Sequence, residues 1–233
     1  MNSKGLIILP AYNEGEVLEE VVKKVSAEVA SQKDISVDIA IVNDGSSDNT
    51  EQVCNNINDI ILLTHYINMG SGAATRTGLE YAKRHGYHFA VTVDADGQHA
   101  PKDLVEVVNK LNKDKFDLVI GSRLLDSKGM PAHRVFGNKL LNIVTRVLFG
   151  VSVTDSQSGL KAFSRKAIES IEIRSNGFEF CSEIVWRAEQ ANLRIAEVPI
   201  TAIYTDYSMQ KGQSNINALR IIKNLVVSKF REV

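Results

Sequence analysis

The chain has 233 residues, with 27 Lys and Arg against 28 Asp and Glu, for a formal charge of −1. Hydrophobic residues make up 44% and charged residues 24%, which excludes disorder for most of the chain and supplies enough apolar mass for a real core. So even a charge balance exerts no long-range pull on a phosphate polymer, and nucleic acid is not an expected partner.

Leu6 to Leu9 is a continuous apolar run stopped at Pro10, and it reads as a buried strand of a parallel sheet. Val17, Leu18, Val21, Val22, Val25 and Val29 follow at helical spacing. A second run, Val37 to Val42, breaks at Asn43-Asp44-Gly45-Ser46-Ser47-Asp48, and a third spans Ile60 to Leu63. Gly70-Ser71-Gly72 opens a helix that reaches Arg84. The fourth run, Phe89 to Val93, ends in Asp94-Ala95-Asp96-Gly97. Pro101 suits the first turn of a helix with an apolar face of Leu104, Val105, Val107, Val108 and Leu111. Leu118 to Ile120 is a fifth run, ending in Gly121-Ser122-Arg123.

The second half reads differently. Asp126 to His133 is expected to be a mobile loop, and Val135 to Phe149 an apolar helix accompanied by Arg134, Lys139 and Arg146. A loop at Asp155-Ser156-Gln157-Ser158-Gly159 precedes a short helix from Arg165 to Ile171. Ser182 to Asn192 is amphipathic, and Arg194 to Tyr204 is a strand whose Pro199 argues for a sheet edge. The last helix is expected from Asn215 to Arg231.

Alternation of strand and helix from Leu6 to Arg123 implies an α/β fold, with a mostly parallel central sheet and helices on both faces. One domain, 1–233, is expected, without repeats or low-complexity linkers. Its polar and Gly-rich segments follow strands, where open α/β sheets hold their ligands. Cys54 and Cys181 read as core thiols of a reducing compartment. Four apolar residues before Pro10 are too few for a signal-peptide core, and no run reaches the roughly 20 residues of a spanning helix. A cytoplasmic protein is expected, touching a membrane from its periphery if at all.

Asp94 and Asp96, two apart in extended backbone, present oxygens to one side, with Gln98 next in the series. Hard divalent cations take such oxygens, usually with substrate phosphates and water; a polar strand-end turn is the competing reading. Asn43 to Thr50 suits either a capped helix start or an anion site. Pro10-Ala11-Tyr12-Asn13-Glu14 offers an aromatic, an amide and a carboxylate to a nucleoside, unless Tyr12 only packs.

These three strand-end motifs together resemble inverting GT-A glycosyltransferases of family 2. Gly121-Ser122-Arg123, Arg134 with Asn138, Asp155-Ser156-Gln157-Ser158-Gly159 and Glu197-Val198-Pro199-Ile200 resemble its branch containing dolichol-phosphate mannose synthase and polyprenyl-phosphate sugar transferases. The resemblance implies a nucleotide-sugar-binding half at 1–125, an acceptor half at 126–213 and a C-terminal amphipathic helix at 214–233. It puts Pro10, Tyr12 and Glu14 near the base and ribose. Val42, Asp44, Gly72, Asp94, Ala95, Asp96, Gln98 and Lys211 also lie against the nucleotide-sugar. Asp94, Asp96 and Gln98 would hold Mg²⁺ or Mn²⁺, and Arg123, Arg134 and Asn138 the acceptor phosphate. Asn138 stands where this branch often has Ser or Thr.

Asp96, Asp155 and Arg123 are the expected catalytic residues. Asp155 has four open roles: orienting Arg123, touching the metal, acting as a base, or shaping its loop. Three functions follow: transfer from GDP-mannose or a UDP-sugar to a polyprenyl or dolichyl phosphate, transfer to a hydroxyl, or non-catalytic binding of a nucleotide-sugar. Glu183 reads as a buried, paired carboxylate. In the last helix Leu219, Ile222, Leu225, Val226 and Phe230 share one arc, which suits an anionic membrane surface, the core or a homodimer partner.

Overall fold

The computed structural model describes residues 4–32, 35–203 and 221–227. Strands β1 (Lys4–Ala11), β2 (Ser36–Asn43), β3 (Ile60–Thr64), β4 (Phe89–Thr92), β5 (Leu118–Ser122), β6 (Lys161–Ser164) and β7 (Ile195–Pro199) form one sheet in the order β3-β2-β1-β4-β6-β5-β7. β6 is antiparallel to both of its neighbours, and the other pairs are parallel.

Strand side chains alternate between faces, and that period separates two cores. Ile7 and Leu9 of β1 pack with Ile39 and Ile41 of β2 beneath α1 (Leu18–Ala30) and α4 (Pro101–Asp114). Leu6 and Ile8 face the other way with Ala40 and Val42, covered by α3 (Ser71–Arg84), α6 (Arg165–Ser170) and α7 (Phe180–Gln190). A shorter helix, α2 (Thr50–Asn56), brings Cys54 into the first core. Both cysteines are buried and free, and burial pushes each thiol up to about 11, so neither is a poised nucleophile.

Sequence and structure part at three places. Lys161–Ser164 is a strand that the apolar pattern did not reveal. β7 is shorter than the expected Arg194 to Tyr204, and Tyr204 lies outside the described residues; Pro199 does fall on an edge strand. The long helix α5 (Ala132–Phe149) starts before Val135, taking His133 and Arg134 out of the expected loop. It stops at Gly150, whose φ of 75° is the left-handed conformation that ends helices.

Of the last helix only residues 221–227 are described, as helix, within the expected Asn215 to Arg231. There Ile221 and Leu225 are buried against Leu141 of α5, so this turn spends its apolar side on the protein itself. Among the described residues no helix is long and apolar enough to cross a membrane.

Candidate active site

A cavity of about 520 Å³ opens where β1, β2, β4 and β5 end, a size typical of small-molecule sites. Pro10, Ala11, Tyr12 and Glu14 line it from the end of β1, Asp44 from β2 and Gly70 from the start of α3. Asp94, Ala95, Asp96 and Gln98 come from the turn after β4, and Arg123 from the end of β5. Arg134 and Asn138 reach in from α5.

The first two motifs are stitched to each other. Asn13 donates its N–H to Ser46 Oγ at 3.0 Å, and Asn13 Oδ1 accepts from Ser47 N at 2.8 Å. Asp44 is held from three sides. Its Oδ1 accepts from Met69 N at 2.9 Å and lies 2.7 Å from His65 Nδ1, while Oδ2 accepts from Gly70 N at 2.7 Å. Gly70 has a φ of 100°, which explains a glycine there.

Asp94 lies on the cavity wall with Oδ2 at 3.2 Å from His99 Nε2. Burial alone would raise its pKa, but His99, Arg123 and Lys161 outweigh burial and hold it below the ordinary value. Asp96 goes the other way: burial and the charge of Asp94 push it up to about 6. Two crowded carboxylates of which one resists ionisation call for a cation. Among the described residues no three or more His, Cys, Asp and Glu side chains gather as a metal cage. Asp94, Asp96 and the Gln98 amide offer oxygens to the cavity they line, a partial set that fits Mg²⁺ or Mn²⁺ sharing its shell with substrate phosphates.

Opposite them stands a two-pronged ion pair. Arg123 Nε donates to Asp155 Oδ2 at 2.7 Å and Nη2 to Oδ1 at 2.9 Å, and the Arg123 backbone N–H adds a third bond at 3.1 Å. The Asp155 side chain is 0% exposed. Burial pushes its pKa up, and the guanidinium more than offsets that, leaving it below the ordinary range. Behind it, Glu197 accepts from the Asp155 N–H at 3.2 Å.

A sequence model of glycosyl transferase family 2 matches residues 6–172. The chain belongs to this family. It is 39% identical to the UDP-N-acetylglucosamine--dolichyl-phosphate N-acetylglucosaminyltransferase of Methanococcus voltae, over 97% of this chain and 96% of that protein. It is 32% identical to the polyprenol monophosphomannose synthase of Mycolicibacterium smegmatis, over 91% of this chain and 82% of that one. In fold it is similar to glucosyl-3-phosphoglycerate synthase from Mycobacterium tuberculosis, solved with Mn²⁺ and UDP-glucose. The TM-score is 0.73 at 18% identity, over 97% of this chain and 79% of that one. This glycosyltransferase therefore has the GT-A fold.

Not every expected residue meets the cavity of the glycosyltransferase. Val42 is wholly buried in the core beside Ile8 and does not line the site. Gly72 is required for a different reason from ligand approach. A Cβ there would lie 2.3 Å from Ser175 O, and its N–H donates to Asn176 O at 2.8 Å. Asp155 is sealed behind Arg123 and does not line the cavity, with both of its carboxylate oxygens taken up by the Arg123 fork. Glu183 is buried, accepting from Arg174 N and Ser175 N and pairing with Arg187, as expected of a structural carboxylate. Lys211 lies outside the described residues.

Three contributors, His65, His99 and Lys161, escaped the sequence reading, and a fourth, Gly159, was named only within its motif. His65 supports Asp44, and His99 supports Asp94. Gly159 packs against Asp94. Lys161, 1% exposed, donates to Ser156 O at 3.2 Å and to Ser158 O, tying the turn before β6. Two of them carried a local signal: His99 directly follows the acidic turn, and Lys161 sits among Leu160, Ala162 and Phe163 where a solvated lysine is out of place.

Proposed function

We propose that this glycosyltransferase moves a sugar from a nucleotide-sugar to a polyprenyl phosphate, with inversion, using Mg²⁺ or Mn²⁺ held by Asp94 and Asp96 with Gln98 beside them. The observation that carries the reading is that Arg123 and Arg134 line the same cavity as that carboxylate pair. Carboxylates suit a cation-bound diphosphate. Guanidiniums suit a second phosphate, which they grip through paired hydrogen bonds. The two relatives named for dolichyl-phosphate and polyprenol products support the same acceptor class.

The bound cation would supply Lewis-acid stabilisation of the departing diphosphate. The residues of the chain do the rest. Tyr12, 44% exposed, offers its ring to the base. Arg123, braced by Asp155, steadies the acceptor phosphate for attack on the anomeric carbon from the face opposite the leaving group. A phosphate acceptor, with a second pKa of about 6, arrives largely as the dianion and needs no general base. That agrees with a site whose nearest candidate base, Asp155, is buried in an ion pair.

Helix α5 would join the cavity to a lipid surface. Arg134, Asn138 and Leu141 face inward, and Phe136, Leu140, Ile143 and Val147 are exposed on the opposite side with Lys139 and Arg146 nearby. An apolar stripe flanked by cations suits the interface of an anionic membrane and supports the reading of a peripheral enzyme at the cytoplasmic face. The test is incorporation of labelled sugar from UDP-N-acetylglucosamine, UDP-glucose and GDP-mannose into polyprenyl phosphate in vesicles with Mn²⁺ or Mg²⁺. An organic-extractable, mild-acid-labile product from one donor is expected; none from any donor would overturn the proposal.

A further inference from the structure

Two buried side-chain oxygens of cavity-lining residues, Ser71 Oγ and Gln157 Oε1, find no hydrogen-bond partner among the described residues. A serine hydroxyl both gives and takes a hydrogen bond, so Ser71 prescribes no ligand chemistry. Gln157 does, because its amide is fixed in one orientation.

Two chains of hydrogen bonds fix it. Thr145 donates its single hydroxyl hydrogen to Leu141 O at 2.9 Å, so Ser182 is the donor in its 2.9 Å contact with Thr145 Oγ1. Ser182 Oγ then has only lone pairs to offer Gln157 Nε2, which donates to it at 2.7 Å. On the other side, Asn142 Oδ1 accepts from Ser156 N at 2.9 Å and from Ser156 Oγ at 2.8 Å. Ser156 Oγ likewise has only lone pairs left, and Gln157 Nε2 donates to it at 3.0 Å. Both amide hydrogens are committed. Turning the amide over would set its oxygen against two oxygens with no hydrogen between them. Gln157, 9% exposed, therefore meets the cavity with Oε1 as an acceptor only.

Such an oxygen repels phosphate oxygens and calls for an O–H. Gln157 stands on its turn between Asp155, which braces Arg123, and Gly159, which packs against Asp94. Its neighbours thus serve the acceptor phosphate on one side and the cation-bound diphosphate on the other. What passes between those two phosphates is the sugar, and its hydroxyls are donors.

We infer that Gln157 is a specificity-determining residue, its Oε1 accepting a hydrogen bond from one hydroxyl of the transferred sugar while Ser156 and Ser182 hold the amide in that role. The inference rests on the sugar-transfer reading above. A sugar without that hydroxyl leaves the amide oxygen unpaired in a buried place, which costs more than a missing apolar contact.

Transfer to vesicle-embedded polyprenyl phosphate tests it, with UDP-N-acetylglucosamine, UDP-glucose, GDP-mannose and their deoxy and deoxyfluoro analogues at each free hydroxyl. For the donor that is used, one position should lose at least about tenfold in kcat/KM. Removal and fluorination should cost the same there, because fluorine cannot donate. Gln157→Met should erase the penalty at that position and leave the calorimetric affinity for UDP or GDP unchanged. Ser182→Ala, which frees one amide hydrogen and keeps Gln157 itself, should shrink the same penalty. A deoxy series with no selective position, a penalty that survives both variants, or a loss of nucleotide affinity in Gln157→Met would overturn the inference and leave sugar transfer standing. Transfer from none of the three donors would overturn both.

Discussion

Gly159 and Asp94 are packed back to back: a Cβ on Gly159 would lie 2.1 Å from Asp94 Oδ2. The glycine cannot retreat, because its carbonyl accepts from Thr92 Oγ1 at 2.7 Å. Gly159→Ala must therefore displace the Asp94 carboxylate. Sugar transfer should fall roughly 100-fold or more, the scale of a small misplacement at a reacting centre. Overpacking should lower the unfolding free energy by only about 1–3 kcal/mol. Parallel assays of transfer and denaturant unfolding check whether activity is lost out of proportion to stability.

The brace between Asp155 and Arg123 makes a second prediction. Asp155→Asn keeps the shape and removes the charge, so Arg123 should loosen, raising KM for the acceptor and lowering kcat. Arg123→Lys should fail to restore either, because an ammonium has no fork. Asp155→Ala should cost about 3 kcal/mol by removing the buried carboxylate from this ion pair. Because the pKa of Asp155 is lowered in the fold, its stabilisation is present above the unfolded value near 3.8 and is lost as pH falls through the lower folded value. The stability gap between wild type and Asp155→Asn should be constant at neutral pH and shrink below about pH 4.

Asp96 behaves with the opposite sign. Its folded pKa of about 6 exceeds the ordinary 3.8, so without metal its contribution to stability declines as pH rises from 3.8 to about 6 and then levels. A cation binds the ionised form and competes with that proton. The thermal shift given by Mn²⁺ should grow as pH rises through about 6 and then plateau. In Asp96→Asn the shift should be small and flat with pH.

Replacing Phe136, Leu140, Ile143 and Val147 together by Ser should abolish flotation with anionic vesicles. Use of vesicle-embedded polyprenyl phosphate should drop at least about tenfold, with nucleotide binding unchanged. Equal flotation of the variant and the wild type would contradict a lipid-facing role for α5.

The five apolar runs from Leu6 to Ile120 appear in the structure as β1 to β5, because each is continuous enough to signal a strand covered on both faces, fully in β1, β4 and β5 and partly in the edge strand β3. The convergence of Tyr12, Asp44 and Asp94 was legible for a related reason: parallel strands deliver their ends to one edge. β6 was not legible. It has four residues, its lysine interrupts the apolar run, and it draws its stability from pairing with β4 and β5, which leaves no local trace. Asp155 as the partner of Arg123 was only one of four open roles, since a 32-residue separation in sequence leaves no periodic trace to choose among them. Val42 misled because the resemblance gave the position but not the direction of its side chain, which the second core claims.

The reversal of β6 reaches beyond sheet pairing. A parallel strand contributes its exit to the ligand edge; β6 contributes its entrance, so the 155–160 turn arrives where β4 and β5 finish. The two ends of the strands thereby acquire unequal tolerance for change. Turns at the far end, such as the one at Gly86, where an added Cβ meets nothing within 4 Å, have only their own backbone conformation to keep, a φ of 74° in that case.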